Sequence, residues 1–221
     1  MNLDALPLFP LPLVLFPGTA LPLHIFEPRY RQLLADSLAG DRRFGIARLN
    51  DGMAEREIPH GTVGCVAEIV SAESLPDGRS NIVVQGMERF ALVSFLQSSH
   101  PYHVCNAELV DDDFEIGAAL DALAERVRDA FRRVARAART LADDPDPLPD
   151  LPNDAANLSF AVASMIDIGL EARQELLASR SPLERLRQLD ALLSDALGAL
   201  VPRAEVHTIA KTNGRGAHVQ P

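Results

Sequence analysis

The chain is 221 residues long, 47% hydrophobic and 24% charged, and carries a formal net charge of -10. That length buries a real core, as one large domain or two small ones. The acidic balance, with neither half of the chain basic, argues against binding nucleic acid through the phosphate backbone, which needs a cationic face.

Two stretches open the chain: Leu6 to Gly18 (LPLFPLPLVLFPG) and Leu21 to Tyr30 (LPLHIFEPRY). They set Pro7, Pro10, Pro12, Pro17, Pro22 and Pro28 among strongly apolar neighbours. Proline fixes φ and removes a backbone donor, so short edge strands and turns are expected here, not a central strand or a helix interior. A secretory signal needs a basic start and an unbroken apolar run, whereas Asp4 and the prolines break both requirements. The same prolines forbid a membrane-spanning helix. The expected compartment is the cytoplasm.

Up to about Asp112 the punctuation is that of strands. A helix is expected from Pro28 to near Gly40, with Leu33, Leu34 and Leu38 inward. Phe44 to Leu49 and Gly61 to Val70 read as strands, the second with two glycines suited to a bulge. Pro76, Asp77 and Gly78 mark a turn into Asn81 to Gln85, which predicts an antiparallel hairpin. Arg89 to Leu96 and Tyr102 to Val110 are two further strands. Cys65 and Cys105 lie in these apolar runs and are expected as buried free thiols.

After the triplet Asp111 to Asp113, expected as a solvated linker, the period becomes helical. Leu120, Leu123, Val127, Phe131, Val134 and Leu141 recur on one face of a helix over 118–141. Helices are also expected at 155–168 and 171–178. Ser181, Pro182 and Glu184 announce another as N-cap, first-turn proline and capping-box acid. Its inner face is Leu186, Leu189, Leu193 and Leu197, extended by Leu200. The division is a β-rich part over 1–112, a helical part over 113–201 and a loosely attached tail over 202–221.

The ordered series LPLFPL, FPG, LPLHIFEPRY, FGI, GTVGCVAEIV, PDGR, VVQGMERF, LSFAVASMIDI, RQELLAS and SPLERL resembles the amino-terminal domain of the Lon ATP-dependent proteases over about residues 6 to 200. The resemblance implies an α+β fold: a PUA-like β pseudo-barrel with one inserted helix, followed by a C-terminal helical bundle. It also implies recognition of polypeptide segments, the role of this domain in the proteases, and the chain is similar to the stand-alone Lon-domain proteins of bacteria. The sequence contains no G-x-x-x-x-G-K-[ST], and its single lysine, Lys211, lies in the expected tail. The ATPase and Ser-Lys peptidase parts of a full Lon protease are therefore absent from these residues, and a non-enzymatic module without cofactors is expected.

The expected partners are unfolded or partly folded polypeptides, with no nucleic acid and no membrane. The alternatives are an RNA-binding PUA-like module or a small-ligand sensor. Exposed edge backbone beside Leu11, Leu13, Val14 and Phe16 is the expected peptide-binding strip. His24, Phe26, Glu27, Arg29 and Tyr30 are expected as a structural signature that fixes the strand-to-helix corner. His100 and His103, three apart, would face opposite sides of a strand, and no zinc-ligand spacing occurs, so no metal is expected. Arg128, Arg132, Arg136 and Arg139 form one strip, expected as a solvated face whose functional alternative is docking of an acidic partner.

Overall fold

A computed structural model describes residues 2–215. Two compact units emerge: Met1–Asp113 with Ala163–Arg180, and Phe114–Val162 with Ser181–Pro221. Thus 163–180, helical in the sequence reading, groups with the β-rich part.

The opening run departs from the expected edge strands. β1 (Asn2–Leu11) lies inside the sheet, between β3 (Arg43–Arg48) and β6 (His103–Leu109). Its prolines survive there because β1 exchanges partners midway. Asn2 to Leu8 pairs antiparallel with β6, and Leu8 to Leu11 pairs parallel with β3. Pro7 and Pro10 each fall where the strand has a neighbour on one side only, so the absent N–H breaks no second ladder. β2 (Ala20–Ile25), with Pro22, is the true edge.

The other strands are β4 (Val63–Ser74) and β5 (Ser80–Phe95). The mixed sheet runs β2-β5-β4-β3-β1-β6, and β6 pairs back with β5. The hairpin at Pro76–Gly78 joins β4 to β5 antiparallel, closed by the Leu75 N–H donating to the Arg79 carbonyl at 2.8 Å. Asn81 to Gln85 and Arg89 to Leu96, expected as two strands, are one. A bulge, not a break, separates them: Cys65 faces Arg89 while Ala67 faces Gly86. Gly86 is obligatory at that bulge. Its N–H donates to the Thr19 carbonyl and its carbonyl accepts from the Gly18 N–H, both at 2.8 Å. A Cβ there would collide with the Phe16 carbonyl.

Apolar residues of this unit form two clusters. Phe9, Ile25, Tyr30, Leu33, Leu34 and Phe44 belong to one. Leu6, Leu8, Val66, Phe90 and Leu92 belong to the other. Cys65 lies in the first and Cys105 in the second; both are free, and burial pushes each thiol up to about 12. Helix α1 (Pro28–Ala39) contributes Tyr30, Leu33, Leu34 and Ser37 to the interior. Leu38, expected inward, is exposed. Ser37 replaces it because its hydroxyl donates to the Arg43 carbonyl.

In the helical unit α2 (Ala118–Ala142) packs along α5 (Pro182–Arg215). Leu120, Leu123, Val127, Phe131 and Val134 are buried on α2, facing an interior that also takes Leu186, Leu189 and Leu193. Burying each such side chain contributes about 1.5–3 kcal/mol. Leu141, Leu197 and Leu200 are half-buried. The loose tail expected from Pro202 is instead helical as far as Arg215, with Pro202 inside α5 and Ala204 buried. Residues 216–221, with His218, lie outside the described residues. Ser181 caps α5 by accepting from the Glu184 N–H at 3.0 Å. The acid that completes the cap is Glu115, which accepts from Ser181 Oγ at 2.7 Å and from the Leu183 N–H at 2.8 Å.

Helix α3 (Ala155–Met165) stops short of the expected Ile168. Arg173, on α4 (Leu170–Ala178), donates to the freed carbonyls of Ser164 and Ile166. The arginine strip is not one solvated face. Arg128 is buried and donates to the Leu151 and Asn153 carbonyls, Arg139 reaches the Asp146 and Pro147 carbonyls, and Arg132 and Arg136 are exposed. Nor is the aspartate triplet simply solvated, because Asp112 pairs with Arg89 at 2.6 Å and Asp113 with Arg180 at 3.1 Å.

Candidate functional site

A groove of about 310 Å³ opens where the end of β1 meets β2 and the start of α1. Pro10, Leu11 and Pro12 supply one wall, and Leu23, Ile25 and Phe26 another. β-strand alternation places them: Leu21 and Leu23 pack against the core and Ile25 enters it, while His24 stays outside and meets Asn81 Oδ1 at 2.7 Å. Phe26, just past the end of β2, is 59% exposed at the groove, with the His24 ring stacked 6.1 Å from its own.

Phe9 and Tyr30 also line the groove, their ring centroids 4.0 Å apart. One end is polar. Glu55, from the short turn Glu55–Glu57, accepts from the Tyr30 hydroxyl at 2.9 Å and from Arg29 Nη1 at 2.8 Å. His103 Nε2 lies 2.9 Å from the same carboxylate. Arg29 Nε donates to Glu27 at 3.0 Å, and its guanidinium covers the Tyr30 ring. Burial, then the hydrogen bond to Glu55, holds the Tyr30 phenol well above its usual range, so it remains a proton donor.

The expected binding strip divides. Leu11 lines the groove and Leu13 is half-buried beside the core. Val14 and Phe16 are buried, Phe16 only 1% exposed, and neither lines the groove. The turn after β1 folds them inward, where their apolar surface leaves water. Phe26, Glu27, Arg29, Tyr30 and His24 line the groove, although the sequence assigned them architecture alone. Glu55 was not singled out. It lies 25 positions from Tyr30, and no local pattern joins the two.

No serine, threonine, cysteine or lysine is among the residues that line the groove. The groove offers apolar contact, and among the described residues β2 beside it has a hydrogen-bonded strand neighbour, β5, on one side only. Among the described residues no three His, Cys, Asp or Glu side chains are grouped to hold a metal, and no helix is long and apolar enough to cross a membrane. A larger cavity of about 700 Å³ lies in the helical unit near the end of α2. Within it Asp143 pairs with His207 at 3.0 Å and with Lys211.

Several known proteins are similar. Lon protease 2 of Herpetosiphon aurantiacus is 29% identical over 88% of this chain and 24% of its own length. The Lon protease of Trichlorobacter lovleyi is 27% identical over 94% of this chain and 26% of its own. The chain thus spans about a quarter of the curated relatives it matches. The crystal structure of a Lon N-terminal domain protein from Xanthomonas campestris superposes with a TM-score of 0.62 at 26% identity, covering 86% of this chain and 98% of that one. The N-terminal domain of the Mycobacterium avium complex Lon protease, 19% identical, shares the fold with a TM-score of 0.63 over 87% of this chain and 99% of its own. The model of the ATP-dependent protease La (LON) substrate-binding domain matches residues 5–195, and this chain belongs to that family.

Proposed function

We propose that the chain binds exposed apolar segments of other polypeptides, in extended form, in the groove between β1 and β2. The observation that carries this reading is the pairing of an apolar groove with an edge strand: a ligand backbone can pair along β2 while its side chains meet Leu11, Leu23 and Phe26. Membership of a substrate-binding domain family supports it. Leu13, Val14 and Phe16 act from below by shaping the wall. In this reading the chain is a cytoplasmic, non-catalytic adaptor or holdase. The closed circuit of strand pairings is then the PUA-like pseudo-barrel, and α2 with α5 the core of the helical bundle.

Each segment binds weakly, because ordering a flexible chain costs entropy. Titration against fluorescently labelled, reduced and carboxymethylated α-lactalbumin should saturate with a Kd of about 10–100 µM. Phe26→Ser should weaken it about tenfold, a loss of roughly 1.4 kcal/mol. No binding by the wild-type chain in that range overturns the proposal.

A further inference from the structure

Among the described residues the two most exposed large apolar side chains are Phe114, at 88%, and Ile116, at 80%. Both belong to the helical unit, in the irregular stretch before α2. Glu115 between them turns the other way, its carboxylate taken by Ser181 Oγ and the Leu183 N–H. Phe114 and Ile116 both stand in solvent, while Glu115 ties the segment to the start of α5. Large apolar side chains displayed in this way mark an interaction surface. Because the segment is already held, docking it costs less ordering entropy than capturing a flexible chain.

We propose that Phe114 and Ile116 of one copy enter the β1–β2 groove of a second copy, so that the chain self-associates and competes with other polypeptides for its own groove. The inference rests on the groove reading above and names one occupant of that site. Two apolar side chains at positions i and i+2 have the spacing that a strand added at β2 presents to one face. The walls they would meet are Pro10, Leu11, Leu23 and Phe26. Each copy carries both the segment and the groove, so contacts run head to tail and close into a ring or extend as a chain. Copies with a net charge of -10 repel each other, so added salt strengthens this association, whereas it weakens one built on ion pairs.

Sedimentation velocity from about 1 µM to about 500 µM, the span of weak contacts, tests it. The wild-type mass should rise with concentration, and more steeply at high salt. The double variant F114S/I116S should lower the association constant tenfold or more while still binding labelled carboxymethylated α-lactalbumin; F26S should weaken both about tenfold. A synthetic peptide spanning 110–118 should displace the labelled probe. Thermal melts followed by circular dichroism identify any variant that has unfolded. A wild-type chain that stays monomeric throughout, or association unchanged in either folded variant, overturns the inference. If both variants weaken association but the probe never binds, the general polypeptide-binding reading fails and the self-docking contact stands.

Discussion

The Tyr30 hydroxyl donates to Glu55 at 2.9 Å, joining the first turn of α1 to a short turn 25 positions later. Arg29 and His103 approach the same carboxylate, so one acid holds the polar end of the groove. Glu55→Ala leaves the half-buried Tyr30 hydroxyl without its acceptor and removes one of the two acidic partners of the Arg29 guanidinium. We expect a loss of about 1–3 kcal/mol in urea unfolding. Glu55→Gln, which keeps one acceptor oxygen, should cost less.

Alkaline stability follows from the tyrosines. The sequence has two, Tyr30 and Tyr102, and both phenols are raised above their usual range. Burial is the first cause in each, followed by the hydrogen bond to Glu55 or Asp36. The folded state thus binds the phenolic protons more tightly than the unfolded state does. Its advantage is complete below about pH 10, the unfolded value, and falls as pH rises toward the folded one. Tyrosinate absorbance should therefore appear together with loss of the circular dichroism signal, not before it. A tyrosinate step in the still-folded protein near pH 10 would contradict this.

On the acid side Asp36 acts in the opposite sense. The Tyr102 hydroxyl, donating at 2.7 Å, and then Gln32 hold its carboxyl below the usual range. Its contribution is present above about pH 4 and is lost as pH falls through the lower folded value. Asp36→Asn should flatten part of the acid limb of the stability curve and shift Tyr102 ionisation toward lower pH. Urea midpoints measured from acid to neutral pH check this.

Three glycines divide by what surrounds them. A Cβ on Gly86 meets the Phe16 carbonyl, and one on Gly64 comes within 2.5 Å of the Ile46 carbonyl and the Phe90 ring. Gly86→Ala and Gly64→Ala should each destabilise by about 1–3 kcal/mol. Gly198, inside α5 with nothing within 4 Å, should show the reverse sign. Gly198→Ala should stabilise by roughly 0.5–1 kcal/mol, read from the same denaturation curves.

Arg89, buried on β5, donates to the Leu177 carbonyl at 2.8 Å, the Ser179 carbonyl at 2.6 Å and Asp112 at 2.6 Å. Arg89→Met should cost about 3 kcal/mol or more, because it strands the end carbonyls of α4 and a carboxylate. Arg89→Lys should rescue little, since an ammonium cannot span the fork of a guanidinium. Denaturation of both variants decides it.

Much of the fold is legible in the sequence because its signals are local. Pro28 and Gly40 bound α1, Pro76 to Gly78 turns β4 into β5, and the leucine period writes α2 and most of α5. Each of these depends on backbone geometry or on side chains within a few positions of one another. The opening prolines are equally plain as a sequence signal and as the mark of a family. Their place in the sheet is not, because whether Pro7 breaks a ladder depends on which strand lies beside it. Only the partner exchange of β1 from β6 to β3 decides that. The groove is likewise tertiary. Leu11, Leu23, Phe26 and Glu55 meet through strand pairings and a distant turn, while Phe16, equally apolar in the sequence, is folded inside. The sequence by itself determined most of the strands and helices, since those choices are made largely by neighbours along the chain; the run of α5 past Pro202 and the continuity of β5 appear only in the structure. The tertiary structure alone decided which apolar side chains face water, since burial depends on neighbours in space.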